Sequence, residues 1–249
     1  MLTRLVVGLD GSARADTALE QAIVLGKRFG STIVLVHARD HGSDHGAALL
    51  DRARERLAAD GLEGEAVERR GPADEVLVAA AEHADAVLVG RRGMTASHPL
   101  GDTVTALIRR AERCVIVCAG RATPMRSCAV AYDGRDASRR ALDLAVRFAS
   151  IMGATVHVVH AADDRSAGLA VVGTAEAVLS LQRVAFTTHV EPGAPGEVLA
   201  RVIERVGCDA LFAGAHLEPE RRGKGGAAVR VSHAEEILLH AVIPVAIQP

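Results

Sequence analysis

The chain has 249 residues, 49% of them hydrophobic, with a net charge of −2 and 24% charged side chains of mixed sign. That is enough apolar material for one large or two small cores, and the charge balance leaves no electrostatic footprint for nucleic acid or a membrane surface. Aromatic residues are 2%, with no Trp and Tyr132 as the one Tyr, and lysine occurs only at Lys27 and Lys224, which argues against base-stacking platforms and against lysine-dependent phosphate loops or Schiff-base chemistry.

The chain enters a strand-like run, Leu5 to Leu9, almost at once. No signal-peptide core precedes it and no apolar run approaches the ~18–20 residues that span a bilayer, so a cytoplasmic protein is expected. Asp10-Gly11-Ser12 ends that strand, and Ala13 to Phe29 shows helical spacing at Ala18, Leu19, Ala22, Ile23 and Leu25. Gly30 stops the helix. Thr32 to Ala38 then reads as a strand, His41 to Asp44 as a loop, Ala47 to Ala58 as a helix and Glu65 to Arg69 as a short strand. After Gly71-Pro72 a third helix runs from Asp74 to Glu82. Ala86 to Val89 is apolar throughout, as a strand buried on both faces is. A helix from Thr103 to Ala111 and a fifth strand, Cys114 to Cys118, complete this half. Cys114 and Cys118 lie about 13 Å apart at ~3.3 Å per residue, too far to pair. With Cys128 and Cys208 they sit in or beside apolar strand segments and read as buried thiols.

Beyond a connector, Gly120 to Met125, the pattern starts again. Ala129 to Gly134 repeats the first strand with its Asp-Gly turn, and Gly153 to Ala161 matches Gly30 to Ala38, including a closing His-Ala. Gly193-Ala194-Pro195-Gly196-Glu197-Val198-Leu199 echoes Gly71 to Leu77, and Cys208-Asp209-Ala210 echoes Ala84-Asp85-Ala86. Ile243 to Ile247 closes as the fifth strand. Two copies of one α/β unit are expected, 1–120 and 127–249. Strands alternating with helices imply parallel sheets covered on both faces. The fold class predicted is two tandem, doubly wound, Rossmann-like five-stranded sheets of order 3-2-1-4-5, related by a pseudo-two-fold axis.

In that order the switch point lies between the first and fourth strands, where ligands bind outside the carboxyl ends. Asp10 follows the one and Gly90 the other. Gly90 and Gly93 lack Cβ atoms, so their backbone can approach an anion, and Gly101-Asp102-Thr103 offers the free amides of a helix start. Blander readings stand beside these. Asp10 and Asp133 can be turn residues capping the following helix, and Arg91 and Arg92 can be a solvated loop face or phosphate clamps. His37 and His160 are expected to satisfy local hydrogen bonds. His41 and His45 lie four apart but have no third metal ligand in view, and no metal site is expected.

With Val-Gly-Leu-Asp-Gly-Ser, the Val-His strand end and Val-Gly-Arg-Arg-Gly before a later glycine, the chain resembles the universal stress protein family, in a tandem single-chain form. Nucleotide-binding members show Gly-x2-Gly-x9-Gly followed by Ser or Thr. The resemblance implies Asp10, Val36, Gly90, Arg92, Gly93, Gly101 and Thr103 as contacts for ATP or another adenine nucleotide, with Mg²⁺ as a candidate companion. Two departures stand out. Seven residues, not nine, separate Gly93 from Gly101, and Asp102 takes the hydroxyl's place. In the second repeat Gly214 is followed by Ala215-His216-Leu217, Val231-Ser232 stands where Gly-Ser is expected, and Glu218 to Gly226 forms a basic, glycine-rich loop.

The leading expectation is a regulatory stress-response protein that binds a nucleotide in the first repeat only. The alternative is an interaction module with decayed sites that docks an unknown protein partner. An adenylating enzyme ranks last, because no Ser/His/Asp or Cys/His constellation has supporting context; no catalytic residue is nominated. An intramolecular pseudo-dimer, open to further dimerisation, is expected, with neither nucleic acid nor membrane as partner; the resemblance implies that the fifth strands meet across its interface, Cys114 to Cys118 near Ile243 to Ile247. On this reading Gly93 is essential to binding, whereas Gly214→Val should hardly matter.

Overall fold

The apolar runs of the sequence pair with one another as strands of a single sheet. The computed structural model describes residues 2–39, 45–93, 100–215, 237–238 and 241–249. In the first half β1 (Arg4–Gly8), α1 (Ala13–Phe29), β2 (Thr32–Arg39), α2 (Gly46–Ala59), β3 (Gly64–Arg70), α3 (Ala73–Ala81), β4 (Ala86–Gly90), α4 (Asp102–Arg110) and β5 (Cys114–Cys118) alternate. The second half repeats the order with β6 (Ser127–Ala131), α5 (Asp136–Met152), β7 (Thr155–Ala161), α6 (Arg165–Leu181), β8 (Phe186–Glu191), α7 (Pro195–Val206), β9 (Ala210–Gly214) and β10 (Val245–Gln248). The repetition extends to backbone detail. Gly30 and Gly153 end α1 and α5 in the left-handed region, at φ 65° and 66°, each returning its N–H to the last turn.

The strand order is β3-β2-β1-β4-β5-β10-β9-β6-β7-β8. Each half is parallel with the expected 3-2-1-4-5 winding, and the two five-stranded sheets join edge to edge as one sheet of ten. The fifth strands not only meet; they pair antiparallel, with Val117, Ile116 and Val115 opposite Val245, Ala246 and Ile247. All six side chains are at most 1% exposed. An edge strand this apolar leaves unpaired backbone groups that water would otherwise have to satisfy, and pairing removes both edges at once. The antiparallel junction has a consequence for the site. The chain enters β10 beside the carboxyl ends of β4 and β5.

Alternation along the strands divides the core between the two faces. Leu5 and Val7 face α1, α2, α5 and α6, whereas Val6, Val34 and Val36 face the α3, α4 and α7 side. On the first face the rings of Phe29, Phe148 and Phe212 lie in a row with centroids 5.2 and 5.4 Å apart, joining the halves across the pseudo-two-fold. The connector is pinned rather than loose. Fully buried Gln21 exchanges hydrogen bonds with the Thr123 backbone at 3.1 and 2.9 Å, and the Thr123 hydroxyl donates to Asp209 O at 2.7 Å. The two echoed aspartates clasp strand starts. Asp85 accepts the Thr3 and Arg4 amides at 2.6 and 2.9 Å, and Asp209 those of Arg126 and Ser127 at 3.1 and 2.8 Å. The four cysteines are free and buried, and burial pushes the Cys114 thiol up to about 12. No helix among the described residues is long and apolar enough to cross a membrane.

The halves differ where β7 and β8 form the outer edge. By register His157 and His189 stand where the first half has Val34 and Val67, and their ring nitrogens approach to 3.4 Å. Burial lowers the pKa of both imidazoles; the His189 charge adds to the effect at His157, and Arg205 adds to it at His189 while Glu191 opposes. A folded-state pKa below the unfolded value means the unfolded chain binds more protons. Stability from this pair is thus fully present above about pH 6.5 and lost as pH falls through the lowered values. Replacing both histidines with valine is expected to flatten the thermal midpoint between about pH 7 and 5. Parallel melting curves of the two proteins across that range check it, and an equally steep decline in the double variant would refute it.

Candidate functional site

The β1 exit turns sharply because Asp10 Oδ1 accepts the Ser12 N–H at 2.9 Å, forming an Asx-turn. Ser12, not Asp10, caps α1, accepting the Ala15 amide at 3.2 Å. Asp10 is exposed and lies against the loop after β4, so that a Cβ placed on Gly93 would stand 2.8 Å from its Oδ2. That is the close backbone approach for which glycine is needed. The loop closes where the Gly101 N–H donates to Arg91 O at 3.1 Å, leaving Gly101 packed on Arg92 and Gly93. Gly101 is the N-cap of α4 and brings no side-chain cap, so the first-turn amides have no intrahelical partner. Asp102 opens that turn, exposed, and Thr103 follows, half-buried. Asp10, Gly93, Gly101 and the Arg92 backbone therefore lie together between the β1 and β4 exits, the candidate crevice, with Thr103 two residues on in the first turn of α4. The crevice floor can accept hydrogen bonds at Asp10 and donate them from α4, a pattern suited to a polar ligand with an anionic end.

Two predicted residues do other work. Val36 is 2% exposed and its carbonyl accepts the Leu9 N–H at 2.9 Å, so it belongs to the core beneath the crevice and not to its lining. Gly90 does not open space for an anion. A Cβ there would stand 2.8–2.9 Å from the Cβ, C and O of Arg14, and the missing side chain lets α1 pack on β4. Gly214 plays the same part against Ala137 and is tighter still, so Gly214→Val is expected to cost stability, whatever it does to binding. Arg91, read as loop face or clamp, donates to Ala241 O and Leu238 O at 3.0 and 3.3 Å. Sequence spacing held no signal for that contact.

The second repeat is built otherwise. Asp133 Oδ1 accepts the Arg135 amide at 2.9 Å and the Ser138 hydroxyl at 2.7 Å. The intervening loops of both repeats, Met94 to Pro99 and Glu218 to Gly226, lie outside the described residues, as do His216, Leu217, Val231, Ser232 and His41. The two strand-end histidines do satisfy local bonds, His37 Nδ1 donating to Leu9 O and His160 Nδ1 to Tyr132 O, each at 2.8 Å. His37 fixes the turn that carries Asp10. Among the described residues no group of three or more His, Cys, Asp or Glu is placed to hold a metal.

Comparison with known proteins agrees with this architecture. A family model described as the universal stress protein family matches residues 1–119 and again 125–185. No curated protein matches the chain. Among solved structures, a universal stress protein from Archaeoglobus fulgidus superimposes with a TM-score of 0.80 at 19% identity, covering 99% of this chain and 96% of its own. A protein of Pseudomonas aeruginosa, described as a universal stress protein, gives 0.71 at 18% identity over 99% and 92%. A functionally unknown protein from the same species gives 0.70 at 16% identity, with the same coverage. At these identities the likeness to the solved structures is one of fold. The family match covers most of the sequence and recurs once in each half, so the chain belongs to the universal stress protein family, in a tandem form that carries two repeats in one polypeptide.

Proposed function

We propose that the chain is a regulatory stress protein that binds one adenine nucleotide, in the first repeat alone. The observation that carries this reading is the difference between the two strand-end aspartates. Asp10 faces a glycine loop closed onto the start of α4, whereas the Asp133 carboxylate is held by Ser138 and Arg135 within its own turn. Both carboxylates accept an amide of their own turn, Ser12 for Asp10 and Arg135 for Asp133, but the second also accepts the Ser138 hydroxyl, and Ala215 follows Gly214 where the first repeat brings a second glycine towards its aspartate. Asp10 and the Gly93 backbone would hold the sugar or base, with Arg92 and the α4 amides beside the phosphates. Where Mg²⁺ accompanies the nucleotide, Asp102 is the carboxylate placed to share it. The proposal assigns no chemistry to the site.

Calorimetry with ATP and Mg²⁺ tests this directly. A stoichiometry of one per chain is expected, lost in Gly93→Val, whose side chain would displace Asp10. Asp133→Asn should leave it unchanged. Two sites per chain, or equal loss from both substitutions, would overturn the assignment to one repeat.

A second reading has its own observation. The surface of α6 exposes Leu169 by 48% and Leu181, at its end, by 81%, and Arg165 and Glu176 are the helix's only charged residues, where α2 carries Asp51, Arg52, Arg54, Glu55 and Arg56. That surface favours a docking role for the second repeat. The two readings are compatible, and absence of any nucleotide binding would leave docking as the function.

A further inference from the structure

The loop of the first repeat reaches into the second. The Arg91 amide donates to Cys118 O at 3.1 Å, and the Ala215 amide makes the same bond to Gln248 O at 2.8 Å, so the backbone tie is common to both repeats. The side chains are not. Ala215 ends at its methyl group, whereas Arg91 Nη1 spans to Ala241 O at 3.0 Å and Leu238 O at 3.3 Å, residues 150 and 147 positions away. Ile237 and Leu238 are helical and the Ala241 amide closes onto Ile237 O at 3.0 Å. The carbonyls that Arg91 binds thus lie at the end of a helical turn, where the backbone dipole is negative. A permanently charged, planar guanidinium suits that position better than a neutral donor. Topology brings the partners together, because β10 is antiparallel to β5 and its entry lies beside the β4 and β5 exits. Gly120 records the same closeness: it sits at φ 73°, and a Cβ there would run into Val242 O.

Arg91 is also the hinge of the crevice loop. Its carbonyl accepts the Gly101 amide that closes the loop, and its neighbours Arg92 and Gly93 line the site. We propose that Arg91 is a positioning residue that holds the first repeat's glycine loop against the second repeat, and so couples occupancy of that crevice to the segment entering β10. The coupling rests on the nucleotide reading above; the tie itself does not. It runs one way in the chain, since the second repeat's loop has alanine in the corresponding place. By linkage, whatever factor the intact tie adds to ligand affinity, the bound ligand adds to the stability of the tie.

Hydrogen exchange on the full chain separates the two parts. Without nucleotide, Arg91→Ala is expected to speed exchange of the Gly101 amide about tenfold, a typical coupling magnitude. Arg91→Lys, which keeps a charged donor, should recover most of the protection. With ATP and Mg²⁺ added to Asp102→Ser, the amides of Val245 to Gln248 should slow, and in Asp102→Ser/Arg91→Ala they should not. Unchanged exchange at Gly101 in Arg91→Ala overturns the positioning role whatever the nucleotide does. If Gly101 responds as expected but ATP binds to neither wild type nor Asp102→Ser, the nucleotide reading and the coupling built on it fail. If ATP binds and Val245 to Gln248 respond equally with and without Arg91, the coupling alone is overturned.

Discussion

Replacing Asp102 with serine is expected to tighten ATP binding about tenfold in the absence of Mg²⁺, a change of ~1.4 kcal/mol. Asp102 opens α4 behind Gly101, which supplies no side-chain cap, so its carboxylate is the anion of the first turn. There the helix dipole stabilises it by roughly 0.3–1 kcal/mol. A phosphate needs those same amides. Two unit charges ~4 Å apart repel by about 4 kcal/mol at an effective dielectric near 20 and by about 1 kcal/mol in bulk water. Asp102 is exposed, which places the cost nearer the lower figure and sets the expected gain at one decade, not three. Arg92 offsets little of it, because exposed ion pairs are worth only ~0–1 kcal/mol. Serine removes the repulsion and restores the hydroxyl found in the family's nucleotide binders. Mg²⁺ bridging carboxylate and phosphate should rescue wild type and give Asp102→Ser much less. Calorimetry on both proteins, with and without Mg²⁺, decides between these outcomes. Tight, metal-independent binding by wild type, unchanged in the variant, would mean that Asp102 points away from the phosphates.

How much of this was legible from sequence depends on how far apart the cooperating residues lie. Strand and helix order could be read because apolar runs, Asp-Gly turns and stop glycines are local signals, and their repetition doubled each of them. The winding order then placed Asp10, Gly93 and Gly101 together before any coordinates did. Gly90 was misread because a missing Cβ has two uses. Ligand approach and helix packing leave the same letter in the sequence, and only the position of Arg14 tells them apart. Val36 was misplaced for a related reason, since alternation shows which strand positions are inward but not which inward positions a ligand can reach. Arg91 was beyond local reasoning altogether. Its partners are about 150 residues distant and come close only because the fifth strands pair antiparallel. The same junction joins the two five-stranded sheets edge to edge.

Gly214→Ala, a single added methyl group, is expected to be among the most destabilising changes in the second repeat. The Cβ would stand 2.7 Å from Ala137 Cβ and closer still to the Ala137 carbonyl carbon and oxygen. Gly214 is not among the glycines with positive φ, so alanine brings no conformational strain, and the whole effect is overpacking. A flexible side chain could turn aside, but here the obstacle is the backbone of α5 near its N-terminus. The helix must lift from β9, against which it is packed along with the buried Ala141 and Ala145. Overpacking of this kind costs about 1–3 kcal/mol and occasionally more, and the backbone contact argues for the upper end. For a chain of this size, ~3 kcal/mol lowers the melting temperature by roughly 6–12 °C. Gly90→Ala supplies the comparison. Its clearances of 2.8–2.9 Å to Arg14 are larger, so its drop should be smaller, by about half if cost follows overlap. Calorimetric melting of the two variants beside wild type measures both. Equal, negligible shifts would show that α1 and α5 move freely on the sheet, and the role of these glycines would revert to ligand approach.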